Sequence, residues 1–401
     1  MNCRSIAVLV LAWSAVSILI TGCFGKQEIN DLAMVTAVGL DLYGDNQVSL
    51  SVQIVRPADA RGQTGAPSGG TGEPIYSIQS QGRTIFEAAR NLARFSSRRV
   101  YWAHNFVIVI GEDYARRGIA DMIDFFTRNH ELRMSTWVVV TPDKASEVIA
   151  TITGMEVVPG EAIDKLFRYN QIVAEAPGSN MMRLQESFLA TGAEPVLAKV
   201  QLKPRGISNK KPNQFGSLKQ VVLSGAAVFK GDKMQGWLSP KDAKGLLPFI
   251  EKVDSEIAIV NCPNEPGKRT TLELKKLKQT MKPGWKDGKI TLRIKQKIDA
   301  NLVELGCSNS YAVVREQLEV KLRQQMEDQV KNIFDIAQQQ YRTDFLKAGQ
   351  TFHNRYPQEW RKVAAEWDDY FAEADVTVQT DVKLTSPVLK LKEPTSGKEL
   401  K

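Results

Sequence analysis

The chain has 401 residues, 43% hydrophobic and 24% charged, with 53 Lys and Arg against 45 Asp and Glu, a net charge of +8. These fractions are those of globular protein and exclude a disordered or fibrous chain; the length suggests two or three domains, each with its own core. Past residue 23 there is no second long apolar run, so no helix of the body is expected to span a membrane.

The first stretch with a distinct character is the N-terminus. Arg4 precedes a run from Ile6 to Ile20 that is apolar apart from Ser14 and Ser17, and Ile20-Thr21-Gly22-Cys23 follows. A basic head, a short apolar run and small residues before a cut site are the parts of a secretory leader. A cysteine at the cut makes it lipobox-like, because a thiolate is the nucleophile best suited to accept a diacylglyceryl group. The run is shorter than the ~20 residues of a transmembrane span, which argues against an uncleaved anchor. The expectation is a leader over 1–22 and a mature chain from an S-diacylglycerol, N-acylated Cys23. Two or more acyl chains would hold it on a membrane's outer face. Of the four cysteines, Cys262 and Cys307 then remain. They could pair, or both stay as free thiols.

The spacing predicts strands over 32–42 and 48–55, the second half-buried because Val48, Leu50, Val52 and Ile54 alternate with Ser49, Ser51 and Gln53. A Gly/Ser/Thr/Pro-rich loop covers 61–72. After a short strand at 75–79, Thr84 and Glu87 form a capping box ahead of a helix with Ile85, Ala88, Ala89 and Leu92 on one face. A strand over 100–110 carries His104 in its interior. A single amphipathic helix runs from 112 to 129, with a strand over 134–140 and a helix over 144–152 after it. Helices over 160–173 and 181–190 lead to a strand at 195–202. This alternation predicts a mixed sheet with helices on one face. Residues 203–219, with five basic residues and no acid, mark the main domain boundary.

The second half opens on a hairpin, 218–229 and 234–238, turned at Gly231-Asp232, then a helix near 241–250. Strands follow at 257–260, 270–277 and 289–298. Between Lys268 and Lys297 eleven Lys or Arg stand against Glu273 and Asp287 only, an excess of nine. Ile290, Leu292, Ile294 and Ile298 alternate with Arg293, Lys295 and Lys297, so this charge is the solvated face of an antiparallel sheet. One long helix is predicted from Tyr311 to Tyr341, a second from Pro357 with Trp360, Val363, Ala364, Trp367 and Phe371 inward, and a last strand over 376–384. The tail is polar and expected to be disordered. The fold class expected is α+β, with mixed and antiparallel sheets and packed helices. Its divisions are 23–205, a mainly antiparallel 206–305, a helical 306–387 with a final strand, and a tail 388–401.

No catalytic constellation stands out. His104, His130 and His353 are far apart without metal-ligand spacing, and His104 reads as a structural histidine. No Gly-x-Ser-x-Gly elbow occurs, and no histidine lies near the two body cysteines. Asp368 and Asp369, adjacent on a helix, diverge and make no acid/base couple. No metal, cofactor or nucleic acid is expected; only Trp285 interleaves with the lysines, short of a stacking platform. The candidate interaction residues are Lys275, Lys276, Lys289, Arg293 and Lys295, able to meet anionic headgroups or an acidic partner.

Several stretches, in order, resemble a known family. They are Cys-Phe-Gly-Lys-Gln-Glu-Ile-Asn-Asp at 23–31, Val38-Gly39-Leu40-Asp41, Gly82-Arg83-Thr84-Ile85 and Trp102-Ala103-His104. The stretches 111–119 and 225–238, and Tyr356-Pro357 with Trp360, complete the set. Together they are similar to the Ger(x)C lipoproteins, C subunits of spore nutrient-germinant receptors; Phe24 stands where that family usually has Trp. The resemblance implies a lipid-anchored, non-catalytic, three-domain α+β protein on the spore inner membrane. It also implies partners in a polytopic A subunit and a transporter-like B subunit, with Cys23 the one defined functional residue. The rival reading is a solute-binding lipoprotein of a transporter, which needs two similar lobes of parallel sheet around a cleft; an envelope hydrolase is a further rival.

Overall fold

A computed structural model describes residues 31–56, 75–151, 156, 158–204 and 219–385, with Trp13 and Glu28. The expected leader, Cys23, the 61–72 loop and the tail lie outside these residues.

The first half builds a nine-stranded sheet. Its members are β1 (Leu32–Tyr43), β2 (Gln47–Val55), β3 (Ile75–Gly82), β4 (Arg99–Tyr101), β5 (Val107–Gly111), β6 (Trp137–Thr141), β7 (Val196–Pro204), β8 (Lys219–Lys230) and β9 (Lys233–Leu238). The order is β3-β2-β1-β5-β6-β7-β8-β9, with β4 beside the start of β1. The centre, β1-β5-β6-β7, is parallel; the wings β2-β3 and β8-β9 pair antiparallel. A parallel centre needs crossover helices. These are α1 (Ile85–Asn91), α2 (Glu112–Arg117), α3 (Ala120–Arg128), α4 (Ala145–Ala150), α5 (Pro159–Val173) and α6 (Met181–Leu189).

Helices cover both faces of this sheet, not one. Ile85, Tyr114, Met122 and Phe126 pack on one side with Val38, Leu50 and Ile110. Val148, Ile163 and Phe167 pack on the other with Val107, Val109 and Val139. Hence β2 is buried through its whole middle, and Ser49, Ser51 and Gln53 are inside instead of in solvent. Gln53 is satisfied there by accepting from Thr36 Oγ1 at 2.7 Å and the Gly160 amide at 3.2 Å, and by donating to the Ile149 carbonyl.

Two expected elements are broken. The 100–110 strand is interrupted at Trp102–Phe106, and His104 is exposed in that turn, not structural in a strand. Trp102 needs the turn to reach Phe125 and Phe126, 6.5 and 6.1 Å away. The 112–129 helix divides at Gly118, whose φ of 134° is outside the helical region and open chiefly to glycine. The capping box is half formed: Thr84 caps the Glu87 amide, while the Glu87 carboxylate takes the Arg83 amide.

The sheet runs across the 203–219 boundary, since β7 and β8 on either side of it are hydrogen-bonded neighbours. After the β8-β9 hairpin come α7 (Pro240–Ile250) and a second sheet of β10 (Glu256–Asn261), β11 (Arg269–Lys286), β12 (Lys289–Glu304) and β13 (Asp375–Thr385). The first three strands are antiparallel, but β13 returns parallel to β12. The helix α8 (Tyr311–Asp335) continues as a π turn over Ile336–Tyr341, so the long helix is present with its last turns widened. It buries Val314, Leu318, Leu322 and Met326 against the sheet's inner face. An unforeseen helix, α9 (Ala348–Arg355), follows; then α10 (Pro357–Val363) and α11 (Trp367–Ala372), with Ala364 exposed in a 3-10 turn between them.

Trp360, Trp367 and Phe371 are core. Their cluster also takes Ala226, Val228 and Leu238 from the first sheet and Ile290, Leu292 and Ile294 from the second. The two sheets therefore meet in this shared cluster, while each keeps buried clusters of its own. The protein is an α+β fold of mixed sheets with a long C-terminal helix.

Candidate functional site

The hairpin β11-β12 turns at Asp287 and Gly288, with φ of 51° and 77°, the left-handed pair that a two-residue turn requires. Its inner residues Ile290, Leu292, Ile294 and Ile298 are buried as the alternation requires, and Trp285 packs inward on Phe352 and Tyr370. The outer face is open. Lys278 stands directly opposite Lys297, Lys282 opposite Arg293 and Lys286 opposite Lys289, with Lys295 opposite Thr280. Like charges directly opposite on a sheet destabilise it.

All eight of these side chains are exposed, and among the described residues none of the seven cations has an acid as an ion-pair partner. Of the candidates, Lys289, Arg293 and Lys295 meet on this face, and Lys276 joins it opposite Asp299. Lys275 does not belong with them. It sits at a bulge between Leu274 and Lys276 and is neutralised by Glu273 at 2.6 Å.

A second region lies where the halves meet. Arg183 on α6 donates to the Gly178 carbonyl at 2.8 Å and to the Glu251 carboxylate at the end of α7, while Glu251 accepts from the Gly178 amide. This pair separates two cavities of about 250 and about 450 Å³. Beside the larger one, the Gln350 amide donates to the Gly192 carbonyl at 2.9 Å, and Gly192 and Gly349 touch backbone to backbone. The carboxylate of Asp344, fully buried, accepts from the amides of Leu346, Ala348 and Gly349 and from Trp367 Nε1. Burial pushes this carboxyl up to about 6, against the pull of those donors. Desolvation likewise raises the buried Glu256 to about 7.

Sequence reasoning missed this seam. Its one local signal was an acid shortly before a helix start at Asp344. The disulfide was left open by the sequence and is formed: Cys262 and Cys307 are joined across 45 residues, Cα to Cα 5.4 Å. The remaining candidates resolve as surface chemistry. Asp368 and Asp369 pair with Lys230 and Arg342, each at 2.6 Å, and His353 stacks near Trp360. Among the described residues no three His, Cys, Asp or Glu converge as a metal set, and no helix is long and apolar enough to cross a membrane. The Val38–Asp41 stretch is scaffold: Asp41 accepts from the amides of Ala145 and Ser146, capping α4 from another strand.

Residues 25–202 match the family described as Spore germination protein N-terminal domain, and 224–387 match Spore germination B3/GerAC like, C-terminal. Among relatives from Bacillus subtilis (strain 168), Spore germination protein KC is 24% identical over 381 residues, 91% of each chain. Putative spore germination protein YfkR is 28% identical over 290 residues, 72% of each chain. A solved structure titled Crystal Structure of the GerBC protein superposes with a TM-score of 0.53 at 21% identity, covering 86% of this chain and 96% of that one, and so shares the fold. With both halves matched in order, the chain is a member of the Ger(x)C family of spore germination proteins.

Proposed function

We propose that this chain is a lipid-anchored, non-catalytic C subunit of a spore germinant receptor, tethered through Cys23 to the outer face of the spore inner membrane. There it works beside the membrane-embedded A and B subunits and is required for the response to nutrients. The observation that carries this reading is the match of both family halves over 25–202 and 224–387, with similar relatives spanning about nine-tenths of the chain. The surfaces agree with a protein that offers contacts: an open basic sheet face and a seam braced by buried hydrogen bonds. Strand direction alone does not separate this reading from the solute-binding rival, since the first sheet has a parallel centre and is not largely antiparallel. The two sheets differ in size and topology, which supports the lead reading over a rival that needs two similar lobes.

The test is Cys23→Ala in the native host. The variant is expected to lose its lipid, leave the membrane fraction and weaken the germination response. A parent chain that carries no lipid at Cys23 would refute the anchor. An unchanged response after deletion of the whole chain would refute the receptor role.

A further inference from the structure

We infer that the outer face of the β10–β13 sheet is a docking surface for an anionic lipid bilayer. This goes beyond the function proposed above and does not need it, because such a face would bind an anionic bilayer with or without an acyl tether.

The face is built, not incidental. Three like-charged pairs stand directly opposite one another, Lys278 with Lys297, Lys282 with Arg293 and Lys286 with Lys289. Among the described residues no acid forms an ion pair with any of the six; an external anionic surface would offset their repulsion. The acids nearby are Asp287 in the turn, Glu273 engaged with Lys275, Asp299 opposite Lys276, Asp375 beside Thr291, and Asp381 on β13 directly beside Lys297, the one acid in register with a paired cation. The β13 residues beside Arg293 and Lys295 are the neutral Thr377 and Gln379.

The chemistry favours lipid over an acidic protein. Arginine suits a fixed carboxylate through its planar fork, whereas lysine acts as a point charge. Among the paired cations only Arg293 is an arginine. Along β11 Lys278, Lys282 and Lys286 recur every fourth residue, about 13 Å apart, and along β12 Arg293, Lys295 and Lys297 recur every second residue, about 7 Å apart, a spread of charge suited to a continuous plane of phosphates. At the β10 edge of the same face Ile257 and Ile259 are 44% and 54% exposed, opposite Glu273 and Thr271. A bilayer interface accepts both ammonium groups and shallow aliphatic side chains.

The experiment places the full chain on vesicles of phosphatidylcholine alone or of phosphatidylcholine with phosphatidylglycerol, and follows lysine acetylation by mass spectrometry. On the anionic vesicles Lys278, Lys282, Lys289 and Lys295 should acetylate several-fold more slowly, while Lys252 and Lys347 should not change. The protection should vanish at about 1 M salt, where screening acts within about 3 Å. Each lysine neutralised to Gln should weaken partitioning onto anionic vesicles about fivefold. Combining Lys278→Glu, Lys282→Glu and Lys295→Glu should abolish the protection; an unlowered melting temperature would show the variant folded, since two of the changes turn like-charged pairs into opposite ones. Equal acetylation on both vesicle types overturns the inference. So does protection that appears only in native membranes and not on lipid, which would identify an acidic protein instead. A chain that leaves phosphatidylcholine but stays on the anionic vesicles supports the face while counting against the tether; a chain that leaves both counts against both.

Discussion

Gly349→Ala opposes two ordinary expectations. In an exposed helix, replacing glycine by alanine stabilises by about 1 kcal/mol. Gly349 lies in the first turn of α9, so propensity alone predicts a gain. The seam predicts the reverse. A Cβ built there would meet the Gly192 carbonyl oxygen at 2.7 Å, Gly192 Cα at 2.8 Å and Trp367 Cε2 at 2.8 Å. Ordinary carbon contacts need about 3.5–4.0 Å, so one side must retreat by most of an ångström. Neither is free to do so. Gly192 has a φ of 71° and is held by the Gln350 amide, and Trp367 is buried and bonded to Asp344. Overpacking of this kind costs about 1–3 kcal/mol, and loss of the Gln350–Gly192 bond adds about 1 kcal/mol. Against the propensity gain, the net loss is about 1–3 kcal/mol. Thermal unfolding by circular dichroism should show a melting temperature several degrees lower. A melting temperature equal to or above the parent's would refute the close packing of the two halves at this point.

Asp344 supplies a pH test with a definite sign. Its carboxyl is raised in the fold from 3.8 to about 6, so its share of stability is complete below about pH 4 and is lost as the pH rises through 6. A displacement of that size corresponds to about 3 kcal/mol, and Asp344→Asn, which cannot ionise, should gain that much on the parent between pH 4 and pH 7 in urea unfolding; parallel curves would dismiss the burial argument. The Cys262–Cys307 bond closes a 45-residue loop, for which chain entropy gives about 4 kcal/mol. Cys307→Ser should lower the urea midpoint accordingly, and a parent whose midpoint ignores reductant would show that the bond is not formed.

Local patterns made much of this fold legible. The alternation at Ile290–Ile298 gave the basic face correctly, because one strand's two sides are decided by its own residues. The spacing from Val314 to Ala337 fixed the long helix for the same reason. What escaped was set by distant partners. Ser49, Ser51 and Gln53 look like a solvated edge until α4 and α5, about a hundred residues on, cover them. The split at Gly118 was visible as a glycine, yet its φ is dictated by packing: the Ile119 amide donates to the Asp232 carbonyl on a far turn. The Lys275 side chain was counted with the basic face because a bulge leaves no trace in an alternating pattern. The seam joins Arg183 to Glu251 and Gly192 to Gly349, pairs that no periodicity links.

The parallel return of β13 bears on how the protein is made. Its partner β12 is complete at residue 304, yet the strand that covers that partner's free side begins at 375 and ends at 385. As the chain emerges N-terminus first, β12 must wait with an unpaired edge until the intervening helices and β13 follow. A message cut short anywhere in that interval would yield a chain with an open sixteen-residue edge, a template for pairing with its neighbours. Nonsense changes late in the gene should therefore be as damaging as early ones, through aggregation and not through any contact that the missing strand makes on its own account.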